Sequence, residues 1–218
     1  MDQEDGLRLS ESRELPQRDL LPSRWPRSLP RDARIHPLES LKRLLAFFGL
    51  LFPAGAETTR SALGGALLAF VQNPEQLARL KSDSGLMRSS IEEIVRWTTP
   101  SIYKRRTAVI DTEIAGQPIR RGDKVTFWEM SANRDESAWD RPFDFDIGRW
   151  PNKHLGFGVG VHFCLGASLA RMEIQVVLEA LAERFDGFEL AGEYSWMPNN
   201  RLLGLTRLEV RAHPAQGG

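Results

Sequence analysis

The sequence is poor in cysteine: Cys164 is the only one among 218 residues. One cysteine cannot form an internal disulfide, so the chain is not a disulfide-stabilised scaffold. The acidic start MDQEDG also lacks the basic residues and apolar core of a secretory signal. These absences predict a cytoplasmic protein.

Long apolar runs and an excess of charge of one sign are missing as well. The most apolar stretch, LLAFFGLLFPAGA at 44–56, is too short to span a bilayer, and it predicts a buried helix rather than a membrane anchor. Lysine plus arginine equals aspartate plus glutamate, at 29 each. This balance gives no indication of a nucleic-acid partner.

The distribution of prolines divides the chain near residue 40. Residues 1–40 hold five of the 13 prolines and show no sustained apolar period, which predicts a linker-like, poorly ordered segment. Residues 41–218 predict one folded domain of mainly α class with small β-sheets. We expect helices at 38–72, 74–83 and 86–99, and short strands between 103 and 128.

A further helix is predicted to begin near residues 165–167, directly after the cysteine. Its apolar residues fall into two stripes, which predict burial on two sides. The first stripe is Leu165, Leu169, Met172 and Val176, and the second is Ile174, Val177, Leu178, Leu181 and Phe185.

The position of Cys164 before this helix indicates metal chemistry. Unpaired backbone N–H groups and the positive end of a helix dipole favour a thiolate there. Gly158 and Gly160 allow a tight turn, and Phe157 can shield the sulfur from water. Zinc would need three or four clustered ligands, so one thiolate suggests haem instead. The alternative is a small buried cysteine at a helix start.

The ten residues FGVGVHFCLG at 157–166 resemble the haem-binding loop of the cytochrome P450 superfamily. They meet every fixed position of its pattern, Phe-Gly-x-Gly-x-[His/Arg]-x-Cys-x-Gly. The resemblance implies the carboxy-terminal portion of a bacterial-type P450 fold, with haem b as cofactor and Cys164 as the thiolate ligand of its iron. The other cofactor-binding positions implied in the loop are Phe157, Gly158, Gly160, His162 and Gly166.

The stretch AGAETT at 54–59 resembles the oxygen-activation motif of the same superfamily. The resemblance implies that Glu57 and Thr58 guide protons to bound oxygen. Pro53 cannot donate to the carbonyl of Gly49, so the residues themselves predict a kink and a groove beside this pair. The alternative is a threonine bonded to its own helix and a glutamate on a solvated face.

The stretch EIVR at 93–96 places Glu93 and Arg96 on one face of a helix. In the superfamily this spacing forms a buried charge network with an arginine that precedes the cysteine loop, and Arg149 in FDIGRW occupies the matching place. The alternative is an ordinary exposed pair.

Further contacts are implied by the same resemblance. Arg106 in KRRTA would meet a haem propionate, and His154 and His162 would add donors to the propionates, although each could instead be a solvated charge. The implied substrate pocket includes Ala54, Ser101, Ile102 and Tyr103, and residues 196–203 would line a further part of it.

The resemblance implies a haem-thiolate monooxygenase, or the carboxy-terminal half of one. Such an enzyme inserts one atom of O2 into an apolar small molecule, such as a terpene, sterol or fatty acid, with electrons from a ferredoxin-type donor. Family members carry a further helical half before the helix that holds the oxygen-activation motif, and we expect this chain to lack that half. The alternatives are a non-catalytic or vestigial haem-binding polypeptide without a complete distal pocket, and a helical interaction module that binds no haem.

Overall fold

The computed structural model describes residues 37–215, and these residues contain five α-helices. The helices are α1 (Pro37–Gln72), α2 (Pro74–Ser82), α3 (Met87–Thr98), α4 (Glu129–Ala132) and α5 (Ala167–Arg184). The 3-10 turns Ser84–Leu86 and Gly160–His162 precede α3 and α5. The three predicted helices before residue 100 agree with α1, α2 and α3 to within one residue at each end, whereas α4 was not predicted.

Short strands pair into four two-stranded antiparallel sheets. The strands are β1 (Tyr103–Thr107), β2 (Thr112–Ile114), β3 (Gln117–Ile119), β4 (Lys124–Trp128), β5 (Phe185–Leu190), β6 (Ser195–Trp196), β7 (Leu205–Arg207) and β8 (Val210–Pro214). The sheets pair β1 with β4, β2 with β3, β5 with β8, and β6 with β7. The predicted class, mainly α with small sheets, is confirmed.

The chain divides into two units, residues 1–46 and residues 47–218. Helix α1 crosses this boundary, and all the packing described below lies within the second unit. The predicted division near residue 40 falls inside α1. The prediction for residues 1–36 lies outside the described part of the chain.

The core lies where the carboxyl half of α1 meets α2, α3 and α5. Each helix contributes fully or nearly fully buried apolar side chains, among them Phe70, Leu77, Ile94 and Leu178. Phe145, from the irregular segment between α4 and α5, packs edge-on against Phe70 at 5.6 Å between ring centroids. Burial of each such side chain stabilises the fold by about 1.5–3 kcal/mol, so this core sets the relative positions of α3 and α5.

The apolar start of α1 is helical but exposed, so the prediction of a buried run is wrong there. Phe47, Phe48 and Leu50 are exposed, and Phe52 is 80% exposed. In the part of the chain that the structure describes, no core side chain comes from α1 before residue 62. Apolarity in the sequence indicated burial, but burial also requires a packing partner.

Helix α5 is buried on one side only, which corrects the prediction of two buried stripes. Ile174 and Leu178, from the second predicted stripe, are buried. The first stripe is exposed along its whole length: Leu165, Leu169, Met172 and Val176. An exposed apolar surface therefore extends from the residue after Cys164 along helix α5.

None of the described helices combines the length and the apolar content that crossing a bilayer requires. This finding includes α1, whose apolar start gave rise to the membrane question in the sequence.

Candidate functional site

The loop that carries Cys164 is closed by backbone hydrogen bonds. The N–H of Cys164 donates to the carbonyl of Phe157 at 2.9 Å, and the N–H of Gly158 donates to the carbonyl of Leu155 at 2.8 Å. Gly158 and Gly160 both have φ of +69°, a left-handed conformation that favours glycine. The loop therefore needs glycine at these two positions to fold back on itself.

Cys164 lies just before α5, as the sequence predicts. The helix begins at Ala167, and the carbonyl of Cys164 accepts the N–H of Ala167 at 3.3 Å. The residue is exposed. The thiol thus stands at the positive end of an 18-residue helix, where a negative charge is favoured.

The surroundings of Cys164 fit haem. Its neighbours in the loop are apolar yet exposed, with Val161 at 93% and Leu165 at 83%. A Cβ added at Gly160 or Gly166 would meet nothing within 4 Å, so there is open space on this surface. Among the side chains that the structure describes, residues 40–215, no three of His, Cys, Asp or Glu cluster as a metal site would need. One thiol on an open apolar surface suits a metal that brings its other ligands in a flat, apolar macrocycle.

Behind this loop, Glu93 and Arg96 form a fully buried ion pair on α3. The guanidinium donates from Nε to Oε2 and from Nη2 to Oε1, both at 2.7 Å, and both side chains are 0% exposed. Two parallel hydrogen bonds fix the geometry as well as the charge. The exposed alternative considered for this pair does not occur.

Arg149 joins the pair as the third charged member. Its Nε lies 3.3 Å from Oε2 of Glu93, and its side chain is only 10% exposed. Its Nη1 and Nη2 donate to the carbonyls of Asp140 and Arg141. The structure therefore brings together the three residues that the sequence assigned to one charge network.

The network also holds the irregular chain before the cysteine loop. Arg96 Nη1 donates to the carbonyls of Asn133 and Pro142, and Nη2 donates to the carbonyl of Asp144. The Nδ2 of Asn152 donates to Glu93 Oε2 at 2.9 Å. Segments with little regular structure are thus anchored to α3 by charged groups.

Two contacts fix the start of the loop, one with Asn133 at the end of α4 and one with α3. Asn133 Oδ1 accepts the N–H of Leu155 at 2.8 Å. A Cβ at Gly156 would lie 2.7 Å from Cγ1 of Val95, so a side chain there would force Val95 or the loop to shift. Neither Asn133 nor Gly156 was predicted as a site residue; Gly156 stands one position before the recognised loop pattern.

His154, expected at a haem propionate, binds other protein groups. Its Nε2 lies 2.9 Å from Oε2 of Glu92, and its Nδ1 accepts the N–H of Gly156 at 3.1 Å. A propionate contact would require His154 to release one of these partners. Glu92 also accepts two hydrogen bonds from Arg171, at 2.6 and 3.0 Å. Glu92 and Arg171 were missed, because 79 residues separate them and neither belongs to a short motif.

Glu57 and Thr58 make their polar contacts within α1. Thr58 Oγ1 donates to the carbonyl of Ala54 at 2.7 Å, and Glu57 pairs with Arg60 at 2.7 Å. Helix α1 runs from Pro37 to Gln72 with Pro53 inside it, so the one hydrogen bond that Pro53 cannot donate does not end the helix. These contacts match the alternative considered for the motif, a threonine bonded to its own helix and a glutamate on a solvated face.

Two further expected cofactor residues, Arg106 and His162, are exposed. Arg106 is on β1, where its Nη1 donates to the carbonyl of Arg105 and its guanidinium lies 5.9 Å from the ring centre of Phe127. His162 ends the 3-10 turn before Cys164 and is exposed. Both positions leave the side chains within reach of solvent.

The expected pocket residues 101–103 meet the segment near residue 202. Ser101 forms an isolated bridge with Leu202, and the N–H of Ile102 donates to the carbonyl of Arg201 at 2.9 Å. Tyr103 packs against Trp128 at 5.0 Å between ring centroids. The predicted neighbours of the pocket are therefore adjacent in the fold.

A cavity of about 260 Å³ lies beside the carboxyl half of α1, and residues 101–103 are not among its lining. It includes Trp196 and Leu203, the two ends of the segment that was expected to line the pocket. Its walls are Ser61, Gly65, Leu68, Ala69, Gln72, Trp97, Thr98, Met130, Arg134, Tyr194, Trp196 and Leu203. The cavity thus contains residues of the expected segment 196–203 but none of residues 101–103.

The ion pair of Glu92 makes the stability of the fold depend on pH. Burial alone would raise the pKa of Glu92, but hydrogen bonds from His154 and Arg171 outweigh this effect and lower the pKa from 4.5 to about 2. A lowered carboxyl pKa stabilises the folded chain above pH 4.5, and the stabilisation is lost as the pH falls towards 2.

We therefore predict that Glu92→Gln lowers the free energy of unfolding near pH 7 by about 1–3 kcal/mol. The difference from the unchanged protein should shrink as the pH falls from 4.5 to 2. Urea unfolding at a series of pH values measures it. Glu179→Gln, which alters an exposed contact with Gln175 on α5, is the control. A difference that stays constant over this pH range would contradict the assignment.

Comparison with known proteins agrees with this geometry. The family model for Cytochrome P450 matches residues 37–212. "Putative cytochrome P450 126" of Mycobacterium tuberculosis is 53% identical over 174 residues, which cover 80% of this chain and 42% of that protein. The methyl-branched lipid omega-hydroxylase of Mycobacterium bovis is 44% identical over 173 residues, 78% of this chain and 40% of that protein. The chain thus spans less than half the length of these relatives.

A solved structure shows the same fold over a similar share. CYP108D1 from Novosphingobium aromaticivorans matches with a TM-score of 0.74 and 40% identity, over 78% of this chain and 41% of that one. The cysteine loop, the buried network behind it and these similarities lead to one conclusion. The chain belongs to the cytochrome P450 family, whose cofactor is haem b.

Proposed function

We propose that this chain provides the iron-binding part of a cytoplasmic haem-thiolate monooxygenase. The reaction inserts one atom of O2 into an apolar small molecule, with electrons from a ferredoxin-type donor. The observation that carries the proposal is the exposed Cys164, which stands at the start of α5 on an open apolar surface.

When bound, haem supplies O2 binding and activation at its iron, which thiolate ligation favours. Cys164 would provide the thiolate, and the left-handed Gly158 and Gly160 would keep the backbone clear of the cofactor. The exposed side chains of Val161 and Leu165 would lie against its apolar surface. Arg106, His154 and His162 remain the proposed partners of its propionates, and His154 would have to exchange a partner to serve.

Glu57 and Thr58 are the proposed proton-handling pair. Thr58 donates its hydroxyl proton to the carbonyl of Ala54, so its oxygen keeps lone pairs that can accept from water. Glu57 is held by Arg60 and is partly exposed. A hydroxyl and a carboxylate at neighbouring positions of one helix can move protons from solvent towards the place where O2 would bind.

The substrate class is proposed from the relatives as well as from the apolar surface. One relative is a methyl-branched lipid omega-hydroxylase. Among the similar structures are P450BioI with a hexadec-9Z-enoic acid ligated acyl carrier protein, and CYP109E1 with testosterone. These names support an apolar substrate and leave terpenes, sterols and fatty acids open.

The second candidate is a haem-binding polypeptide that does not catalyse. The exposed apolar start of α1 and the exposed stripe of α5 favour it, because nothing in the described part of the chain covers these apolar side chains. An open site would leave a bound haem accessible to water, which would favour release of reduced oxygen over transfer to a substrate. This candidate predicts thiolate ligation of haem without product.

The first test is thiolate ligation. The chain is reconstituted with haem, reduced and exposed to carbon monoxide, and its absorption spectrum is recorded. We expect a strongly red-shifted band from the thiolate ligand that Cys164→Ala abolishes and that Ser168→Ala, an exposed position on α5, retains. The same band in Cys164→Ala would refute ligation by this residue.

The second test concerns Thr58. In an intact form of the enzyme that carries this segment, we expect Thr58→Ala to bind haem normally, to lower the product formed per electron pair by about tenfold or more and to release the difference as peroxide. Thr58→Ser, which keeps the hydroxyl, should restore coupling. Electron consumption, peroxide and product are measured with a ferredoxin and its reductase. An equal yield of product per electron pair in the unchanged protein, Thr58→Ala and Thr58→Ser would show that Thr58 does not transfer protons in the reaction.

A further inference from the structure

Glu92, His154 and Arg171 form a cluster behind the cysteine loop that the proposed function does not use. Glu92 is on α3, His154 is on the chain before the loop, and Arg171 is on α5. The three side chains are 13%, 3% and 35% exposed, respectively. One carboxylate thus joins the three elements that surround the loop.

The hydrogen bonds of the cluster are mutually consistent. His154 Nδ1 accepts the N–H of Gly156, so in the neutral ring the proton is on Nε2, which donates to Glu92 Oε2 at 2.9 Å. Arg171 Nε donates to the other oxygen, Oε1, at 2.6 Å, and its Nη2 donates to Oε2 at 3.0 Å. Glu92 and Arg171 balance in charge, so the cluster needs no further ion.

The cluster acts on the loop through Phe157. The guanidinium carbon of Arg171 lies 4.5 Å from the centre of the Phe157 ring, and the ring of His154 lies 5.5 Å from it. A guanidinium held flat by a carboxylate can stack on an aromatic face, which a lysine cannot reproduce. The carbonyl of Phe157 accepts the N–H of Cys164 at 2.9 Å.

We infer that Glu92, His154 and Arg171 are positioning residues for Cys164. They hold the Phe157 ring, and the Phe157 carbonyl in turn holds the backbone N–H of Cys164 and so fixes where the thiolate stands. The inference rests on the proposed function only for its consequence, which is correct ligation of haem. The arrangement itself belongs to the protein without cofactor and is tested there.

The test is hydrogen exchange at the backbone amide of Cys164 in the haem-free chain. Arg171→Lys keeps the charge but loses the paired hydrogen bonds and the stacking on Phe157. We expect exchange at Cys164 to become faster by about tenfold relative to exchange in the β5–β8 sheet, which reports any general loss of stability. Arg211→Lys, which alters the exposed pair with Glu189 across that sheet, is the control and should leave Cys164 unaffected.

A second variant and a spectrum complete the test. Glu92→Gln keeps the size of the side chain and removes its charge, and it should accelerate exchange at Cys164 beyond the acceleration that its general loss of stability causes in the β5–β8 sheet. After haem is added, both variants should show a smaller fraction of the red-shifted carbon monoxide band than the control. Unchanged exchange at Cys164 would overturn the inference, as would equal acceleration at all slow amides or loss of folding in both variants. A missing band in every protein, with the local exchange effect present, would refute the proposed function alone.

Discussion

A buried carboxylate and guanidinium, Glu93 and Arg96, impose the constraint on which the rest of the site depends. Both side chains are fully buried, and neither ion is tolerated away from water unless every polar atom finds a partner. The pair meets this demand by drawing in Arg149, Asn152 and several backbone carbonyls of the irregular chain between α4 and α5. That chain has little regular structure of its own, so the charges largely determine its path.

Two adjacent residues of helix α3, Glu92 and Glu93, therefore hold the chain around the cysteine loop. Glu93 anchors the chain before the loop, and Glu92 reaches both that chain, through His154, and helix α5, through Arg171. Gly156 packs directly on α3, and a side chain there would force Val95 or the loop to shift. The open face of the loop then carries the thiol, while its back is fixed by charge, hydrogen bonds and close contact.

The sequence predicted those parts of the structure whose signals are local. Periodicity and helix-stop residues gave α1, α2 and α3 almost to the residue, and the motif spacing joined Glu93 with Arg96. It failed where the partner is distant: nothing local pairs Glu92 with Arg171, or β5 with β8. It also failed where apolarity was equated with burial, as at Phe52 and along Leu165–Val176, because apolar residues mark a surface to be covered without showing what covers it.

The central claim, that the buried pair organises the site, is tested by comparing two ion pairs of equal length. Glu93–Arg96 and Glu57–Arg60 both have i,i+3 spacing and both measure 2.7 Å, but the first is buried and the second is partly exposed. Urea unfolding of Glu93→Gln should show a loss of about 3–5 kcal/mol, whereas Glu57→Gln should lose less than about 1 kcal/mol. Equal losses in the two variants would contradict the account.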